Sequence, residues 1–347
     1  MATAAESKLD RMRFAVQAAN LTVPATRWAM VEGAVTKSAA DLVMVDLEDS
    51  IPRADDTALE LGRANVVRAL CELDWGRRLR FFRPRGLDLD PRLDDVRFVL
   101  PRVRERLEGI VIPKVHGADD VVRFDRALGE IERAEGLEIG RVKLHVLIES
   151  VTAEEQAFEI ARASARTVGL VFGAFDYWSS LHMALVPYRF DHPAVDAARL
   201  RIVKAAASVG ISAIAEMTTS FPTKEKSESA RAAAIEECKT HAEHARDLGM
   251  TGKWTGHPGQ VAPVLLVFTP SRAAIDGAIQ QVRAFAVAER SGLGAIMLDG
   301  SMADRATDRV NRMVLAAAHA RGALDPPVAR ELGLDQGAGV APPGLSR

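Results

Sequence analysis

The amino-acid sequence predicts an α/β fold, a (β/α)8 TIM barrel with a C-terminal helical lid extension. Up to residue 270, short apolar runs rich in β-branched residues alternate with longer Ala-, Glu- and Arg-rich stretches typical of helices. Such alternation indicates a parallel sheet, because parallel strands need a crossover connection between them. There are eight of these runs, and most end in a polar residue. Eight units favour a closed barrel, with an open doubly wound sheet as the competing architecture.

The predicted strands follow one another along the chain with helical stretches between them. The strands are FAVQAANLTVP (14–24), DLVMVDLED (41–49), RLRFFRPR (78–85), GIVIPKV (109–115), KLHVLIES (143–150), TVGLVFGAFD (167–176), ISAIAEMTT (211–219) and GKWTGHP (252–258). The helical stretches include ADDVVRFDRALGEIERAEG, AEEQAFEIARASA and KSESARAAAIEECKTHAEHARDLG. The last of them ends at a glycine suited to a helix C-cap. Residues 1–270 are therefore predicted to form the catalytic barrel domain.

The alternation stops after FTPSR (268–272). Two helical stretches follow, AAIDGAIQQVRAFAVAERSG and DRVNRMVLAAAHARGAL, joined by the short apolar run LGAIMLDGSM. Residues 271–333 are predicted to form the helical lid. Residues 334–347 are rich in Gly and Pro and are expected to be a disordered tail.

Composition favours small-molecule or self-association partners. The 347 residues contain 45 Lys and Arg against 47 Asp and Glu, so no basic field indicates nucleic acid and no excess charge indicates disorder. Cys71 and Cys238 are far apart, which gives neither a disulfide framework nor a zinc site and is typical of a reduced compartment. The first residues lack the apolar core of a signal peptide, and we expect that no run approaches the roughly 18 apolar residues of a membrane span. We expect a cytoplasmic protein without membrane or nucleic-acid partners.

The predicted strand ends define a candidate active site. In a parallel barrel the carboxyl ends of all strands meet at one face, so polar residues there converge. The residues at or just beyond the predicted ends are Glu48, Asp49, Arg83, Arg85, Lys114, Glu149, Asp176, Glu216 and His257.

Glu149 and Asp176 form the candidate metal site. They close LIES and VFGAFD, 27 residues apart, which places them on neighbouring predicted strands. Two carboxylates that face one small volume raise the pKa of one of them unless they share a cation. Mg²⁺ or Mn²⁺ suits oxygen ligands, and magnesium takes only one or two protein carboxylates and keeps several waters. Structural salt bridges or helix caps explain the same pair equally well at this stage.

Arg83 and three histidines are the other polar residues of interest. Arg83 ends FFRPR, where its guanidinium would stabilise an oxyanion, hold a substrate carboxylate, or pair structurally with Glu48 or Asp49. His241 and His244 are predicted to lie on a solvated helix face. His257 in GHPGQ either hydrogen-bonds into the site or is structural. The sequence contains no P-loop, GxGxxG after a strand, GxSxG elbow or HExxH, so the common nucleotide, hydrolase and metalloprotease motifs are absent.

Seven segments carry a resemblance to a known family. Between about residues 13 and 320, the chain resembles the citrate lyase β subunit and malyl-CoA lyase group of the HpcH/HpaI aldolase superfamily in the order and spacing of VPATRWAMVEGAVTKSAADLVMVDLEDS, FFRPRGLD, IPKV, LIES, VFGAFDY, RIVKAAASVGISAI and GMTGKWTGHPGQV. The resemblance implies a TIM barrel with Mg²⁺ held by Glu149 and Asp176. It also implies that Arg83 polarises a thioester or keto oxygen.

Other residues receive roles from the same resemblance. Glu48 and Asp49 are expected to order Arg83 and metal-bound water. Substrate binding is expected at Arg27, Arg83, Lys114 and His257. The resemblance further implies a lid that covers the barrel of a neighbouring subunit and carries a catalytic Asp in a G-x-Met-x-Asp motif. GSMAD places Asp304 there, with Asp299 as a second candidate, in a homo-oligomer that is a trimer or hexamer.

The function expected from the resemblance is a Mg²⁺-dependent carbon–carbon lyase. It would cleave or form a 3-hydroxyacyl-CoA of the malyl-CoA or citramalyl-CoA type, with an acyl-CoA and a 2-oxo acid as the other partners and an acyl-CoA enolate as the intermediate. Arg83 would stabilise the enolate oxyanion and Asp304 would move the α-carbon proton. The alternatives are a malyl-CoA thioesterase or synthase relative, a CoA-independent 2-oxo acid aldolase, and a non-autonomous citrate lyase β subunit.

The sequence departs from the family pattern at several positions. VPATR replaces VPGNR, FGAFD replaces FGAED so that Phe175 stands where an acid is usual, and Arg85 stands where an asparagine is usual. Gly256 replaces the isoleucine of IHP, and Ala215 and Glu216 also differ. The expected metal and arginine residues are unchanged. These differences are expected to line the mouth of the barrel and to affect the choice of substrate.

Overall fold

The computed structural model describes residue 14, residues 17–298 and residues 300–334. These divide into two compact units. Gln17–Phe268 form one unit, and Thr269 begins the part of the chain that belongs to the other.

The first unit is a closed barrel of eight parallel strands in chain order, which confirms the predicted fold class. β1 pairs with β8 through the register Asn20↔Trp254, so the sheet closes and the open doubly wound alternative is wrong. The strands are β1 (Ala19–Pro24), β2 (Leu42–Asp46), β3 (Leu79–Arg83), β4 (Gly109–Ile112), β5 (Lys143–Ile148), β6 (Thr167–Phe172), β7 (Ser212–Ala215) and β8 (Gly252–Thr255). Each lies within one of the predicted runs.

Helices follow the strands of this unit, and those between successive strands provide the crossovers that parallel pairing requires. They are α1 (Trp28–Lys37), α2 (Asp56–Glu72), α3 (Asp94–Val103), α4 (Ala118–Ala134), α5 (Val151–Glu155), α6 (Ala157–Arg162), α7 (Ala174–Ser180), α8 (Pro193–Val209), α9 (Glu228–Asp247) and α10 (Val261–Val267). α8 ends at Gly210, whose φ of 75° supplies the left-handed C-cap that glycine favours. Buried apolar residues of strands and helices form one continuous core.

Glycines on two strands make room for large side chains inside the barrel. A Cβ on Gly109 of β4 would lie 2.1 Å from the Phe81 ring, and these residues are register partners across β3 and β4. A Cβ on Gly169 of β6 would lie 2.8 Å from the ring of its β5 partner His145. Phe81 and His145 pack against each other with ring centroids 4.8 Å apart. The barrel interior is therefore filled by pairing large residues with glycine on the adjacent strand.

The second unit contains the two predicted helices and a hairpin that the sequence interpretation missed. α11 (Arg272–Arg290) and α12 (Arg305–Ala320) flank the antiparallel strands β9 (Ala295–Leu298) and β10 (Ser301–Asp304), and α13 (Pro326–Glu331) follows. The run LGAIMLDGSM is thus a β-hairpin, for which Gly300 provides a turn residue at φ 78°. Leu334 packs into the small core of this unit. Residues 335–347, predicted as a tail, lie outside the described residues.

One stretch meets the length and composition test for a membrane span. Pro258–Arg290 is 33 residues long and contains a window of mean hydropathy 1.2, so the expectation that no run approaches this character is wrong by that measure. In the structure this stretch comprises a 3-10 turn, α10 and α11, with a break between Val267 and Arg272. Length and composition alone are weak support for a span, because core helices pass the same test.

We expect Gly109→Ala to destabilise the barrel by about 1–3 kcal/mol, because the added methyl group overlaps the Phe81 ring. The matched control is Gly33→Ala in α1, where a Cβ meets nothing within 4 Å. That change should stabilise the protein by about 0.5–1 kcal/mol, since alanine restricts the unfolded chain and favours the helix. Urea unfolding of the three proteins measures both effects. Equal midpoints for the two variants would contradict the packing argument.

Candidate active site

Four consecutive strands, β2 to β5, and the helix α7 bring charged side chains to one face of the barrel. Asp46 ends β2, Arg83 ends β3, and Glu149 directly follows β5. Glu48 and Asp49 lie in the turn after β2, Lys114 follows β4, and Asp176 lies in the first turn of α7 after β6. In the sequence these residues are spread over more than a hundred positions. The barrel brings them together in one set of ion pairs.

The guanidinium group of Arg83 is surrounded by the carboxylates of the acidic segment VDLEDS. Its Nε is 2.6 Å from Asp46 Oδ1, and its Nη1 is 2.9 Å from Glu48 Oε2 and 3.4 Å from Asp49 Oδ2. The guanidinium carbon also lies 5.3 Å from the centre of the Trp254 ring. Burial alone would lower the pKa of Arg83, but Asp46 and its neighbours raise it above the ordinary value. The arginine is therefore permanently charged and held in one orientation.

Asp46 is the main partner of Arg83. The sequence pattern did not predict this pairing. The two residues are directly paired in the register of β2 and β3. Burial raises the pKa of Asp46, but Arg83 outweighs it and the net pKa is lowered. The same carboxylate accepts the backbone N–H groups of Glu48 and Ser50, each at 3.1 Å. Asp46 thus shapes the turn that carries Glu48 and Asp49 toward Arg83.

Lys114 connects the arginine cluster to Glu149 and Asp176. Its Nζ lies 2.9 Å from Asp176 Oδ2, 3.5 Å from Glu149 Oε2 and 3.7 Å from Glu48 Oε1. Its backbone N–H donates to Glu149 Oε1 at 2.6 Å. Burial lowers the pKa of Lys114, but the three carboxylates raise it overall. The residue is therefore a cation surrounded by acids.

Two buried carboxyl groups of the site have strongly raised pKa values. Burial raises the pKa of Glu149 to about 7, against the opposing effect of Lys114. Burial likewise raises the pKa of Glu48 to about 8, with Arg83 opposing it and Asp49 adding to it. Both acids are buried beside cations that only partly offset the lost hydration. The side chain of Asp176 is much less buried, at 51% exposed.

The position of Asp176 differs from the sequence prediction. β6 ends at Phe172, and Asp176 lies one turn further on, in α7, not at the end of the strand. The apolar run VFGAF suggested a longer strand, but the chain turns at Gly173. A Cβ at Gly173 would lie 2.5 Å from the Cβ of Glu149, so glycine is required for Glu149 to fit beside the start of α7. The glycine places the two acids near each other.

The carboxylates of Glu149 and Asp176 fit a hard divalent cation. Both carboxylates contact the ammonium group of Lys114, so both reach one position where a cation can bind. Among the described residues there is no group of three or more His, Cys, Asp or Glu arranged to hold a metal. An ion at this position would therefore have two protein carboxylates, with water or substrate as its other ligands, as magnesium commonly does.

Three other described residues that were considered from the sequence do not join this set of ion pairs. Arg27 is exposed at the start of α1, and His257 uses Nδ1 to accept the Gly259 N–H and so caps its own turn. Asp304 belongs to the second unit, where its carboxylate caps α12 by accepting the N–H groups of Ala306 and Thr307. Asp299 lies outside the described residues. The roles of these residues remain predictions.

Two of the residues that depart from the family pattern form ion pairs within the protein. Arg85 binds Asp95 with both Nε and Nη2 at 3.0 Å. Glu216 accepts hydrogen bonds from Arg199 of α8, which is fully buried. These two charges are therefore balanced within the protein. Phe175, by contrast, is 46% exposed next to Asp176.

His241 and His244 are partly buried, so the helix face predicted to be solvated is only partly so. The His241 ring stacks on Phe190 at 3.7 Å, and its Nδ1 lies 3.1 Å from the Thr218 hydroxyl. His244 Nε2 is 2.9 Å from Asp196. The charged residues of α9 suggested exposure, but its histidine side faces the chain between α7 and α8. These contacts are structural.

Comparison with known proteins identifies relatives across most of the chain. A family model described as HpcH/HpaI aldolase/citrate lyase matches residues 19–258. The chain is 33% identical over 309 residues to the L-malyl-CoA/beta-methylmalyl-CoA lyase of Rhodobacter capsulatus, covering 85% of this chain and 92% of that protein. It is 31% identical over 317 residues to citrate lyase subunit beta of Escherichia coli K12, covering 91% and 98%.

A solved structure shares the fold. Protein CitE from Mycobacterium tuberculosis, crystallised with magnesium, acetoacetate and coenzyme A, has a TM-score of 0.63 and 23% identity to this chain. The match covers 88% of this chain and 98% of that one.

The raised pKa of Glu149 predicts how stability depends on pH in buffer without divalent cations. The folded state holds this proton more tightly than the unfolded state, whose glutamate has the ordinary value of 4.5. The stability from this group is thus fully present below pH 4.5 and is lost as the pH rises through about 7. Glu149→Gln should remove that loss, so its unfolding free energy should fall less than that of the wild type across this range. Glu60→Gln, at an exposed position of α2, is the control. Parallel pH profiles for all three proteins would refute the assignment.

Proposed function

The chain belongs to the HpcH/HpaI aldolase/citrate lyase family and is a carbon–carbon lyase, and we propose that it acts on 3-hydroxyacyl-CoA thioesters of the malyl-CoA or citramalyl-CoA type. Cleavage gives an acyl-CoA and a 2-oxo acid, and the reverse reaction joins them. The named substrate of the Rhodobacter capsulatus relative supports this choice. Magnesium in the crystals of the Mycobacterium tuberculosis protein supports a divalent cation.

The observation that carries the proposal is the convergence of two carboxylates beside a buried arginine. Glu149 and Asp176 would hold the cation, preferably Mg²⁺ with Mn²⁺ as a substitute. Bound there, it would supply Lewis-acid polarisation of the hydroxyl or keto oxygen of the 2-oxo acid portion. Arg83 belongs to the same set of ion pairs through Glu48, which also contacts Lys114.

Arg83 suits the stabilisation of the enolate oxyanion. Three acids fix its guanidinium, so little reorganisation is needed when negative charge develops on the thioester oxygen. Glu48 and Asp49 set its orientation. Lys114 would accept the carboxylate of the 2-oxo acid, and Arg27 and His257 are proposed to contact other parts of the substrate.

Asp304 is proposed as the group that removes or returns the α-carbon proton of the acyl-CoA. Its pKa is lowered because it accepts the N–H of Thr307, so it is ionised at neutral pH and can act as a base. It would act on the barrel of a neighbouring subunit, in a trimer or hexamer with exchanged lids. Balanced charge and two free cysteines support a cytoplasmic enzyme without nucleic-acid partners, and we propose that it has no membrane partner either.

A second candidate is a non-autonomous subunit that works on an acyl-carrier protein. The similarity to citrate lyase subunit beta of Escherichia coli favours it. The thioesterase, synthase and CoA-independent aldolase alternatives use the same site with a different fate for the enolate or a different acid.

One panel of incubations separates these functions. The purified chain is mixed with Mg²⁺, acetyl-CoA or propionyl-CoA, and a series of 2-oxo acids, and the products are followed by mass spectrometry. A new 3-hydroxyacyl-CoA thioester supports the proposal, whereas free CoA together with a hydroxy acid indicates a synthase or thioesterase. Cleavage or formation of free hydroxy acids without CoA indicates the aldolase. Turnover only with an added acyl-carrier protein indicates the complex subunit.

We expect Asp176→Ala to abolish metal-dependent turnover and leave the fold intact, because its side chain is half exposed and contributes little to packing. Asp191→Ala is the matched control, since the Asp191 side chain is 52% exposed and pairs only with Arg189 among the ion pairs described. Initial rates with and without Mg²⁺, and circular dichroism of each variant, provide the measurement. Full activity of Asp176→Ala without added metal would rule out the assigned metal site.

A further inference from the structure

The ammonium group of Lys114 shares its ligands with the proposed divalent cation. Its Nζ lies 2.9 Å from Asp176 Oδ2 and 3.5 Å from Glu149 Oε2, the two carboxylates assigned to the metal. A third carboxylate, that of Glu48, lies 3.7 Å away. A monovalent side chain and a divalent ion therefore draw on the same oxygen atoms.

The backbone of Lys114 holds Glu149 independently of the lysine side chain. The residue has a φ of 53°, in the left-handed region that costs a residue with a Cβ about 1 kcal/mol or more. This conformation directs its N–H to Glu149 Oε1 at 2.6 Å. The ammonium is bound to the other oxygen, Oε2. The side chain can consequently leave without releasing Glu149.

The charges of the mouth favour such an exchange of cations. In the ion pairs of the described residues, five carboxylates, of Asp46, Glu48, Asp49, Glu149 and Asp176, face two cationic side chains, Arg83 and Lys114. Arg83 is buried and fixed by three acids, but the Lys114 side chain is 20% exposed on a flexible stem. Lys114 is the cation that can move. A dication on the same carboxylates would repel the ammonium at a separation of a few ångströms.

We propose that Lys114 is a built-in competitor of the divalent cation, an inference that rests on the proposed function of this site. Its ammonium holds Glu149, Asp176 and Glu48 together before the metal binds and is displaced when the metal takes the same oxygens. The displaced ammonium then receives the carboxylate of the 2-oxo acid. Lys114 thereby weakens metal binding in the free enzyme and couples it to binding of the oxo acid.

The test compares Mg²⁺ binding to the metal-free wild type, Lys114→Met and Lys114→Asn by titration calorimetry. Methionine removes the charge without adding a ligand, and asparagine removes it while tolerating the left-handed backbone. We expect both variants to bind Mg²⁺ about tenfold more tightly, within the range of about 5- to 150-fold typical of coupled sites. Their melting temperatures should fall in EDTA and rise more than that of the wild type on adding Mg²⁺.

Lys37→Met, at an exposed lysine in the last turn of α1, controls for the loss of one positive charge and should bind Mg²⁺ like the wild type. The oxo acid supplies a second measurement. Pyruvate or glyoxylate should tighten Mg²⁺ binding to the wild type more than to the variants.

The possible outcomes separate this inference from the proposed function. Tighter Mg²⁺ binding by both variants supports competition. Weaker binding in correctly folded variants would mean that the lysine positions the ligands, and unchanged binding would mean that the ammonium and the metal do not share them; either result overturns the inference and leaves the metal site standing. Absence of Mg²⁺ binding by all the proteins would overturn the metal site and this inference together.

Discussion

The buried guanidinium of Arg83 is the charge on which the mouth of the barrel depends. A buried cation is tolerated only when acids and hydrogen bonds compensate its lost hydration, and Asp46, Glu48 and Asp49 provide that compensation. In return, the arginine permits a run of acids to follow a buried strand. Removing one partner would leave the other charge uncompensated in the interior. The acidic segment and the arginine therefore have to be understood as one unit contributed by neighbouring strands.

Positions where the backbone closely approaches a side chain support this charge cluster. Glycines at 109 and 169 let Phe81 and His145 fill the barrel interior, and Gly173 lets Glu149 stand beside the start of α7. The left-handed conformation of Lys114 then fixes one oxygen of Glu149 from the main chain. The position of the candidate metal ligands is thus determined by backbone geometry as well as by charge.

The mouth combines an excess of carboxylates with two cations of different mobility. Arg83 is rigid and suited to a fixed oxyanion, whereas Lys114 is flexible and suited to exchange between acids and substrate. Burial raises the pKa values of Glu48 and Glu149 to about 8 and about 7, although Arg83 and Lys114 oppose the shift. Beside it, Phe175 packs on Tyr188 with ring centroids 4.5 Å apart and adds an apolar surface where relatives of the family were expected to carry an acid. The effect of this apolar surface on the choice of substrate remains a prediction.

The sequence by itself determined the eight strands, the barrel class and most of the charged residues at its mouth, because hydrophobic periodicity and strand-end polarity are local properties. Only the tertiary structure decided how these residues pair. Asp46 as the partner of Arg83 depends on the register between β2 and β3, and the place of Asp176 in α7 depends on steric exclusion at Gly173. The hairpin before α12 and the packing of His241 on Phe190 were likewise settled by contacts between distant segments. Composition cannot reveal such contacts, because they join residues that become neighbours only when the chain folds.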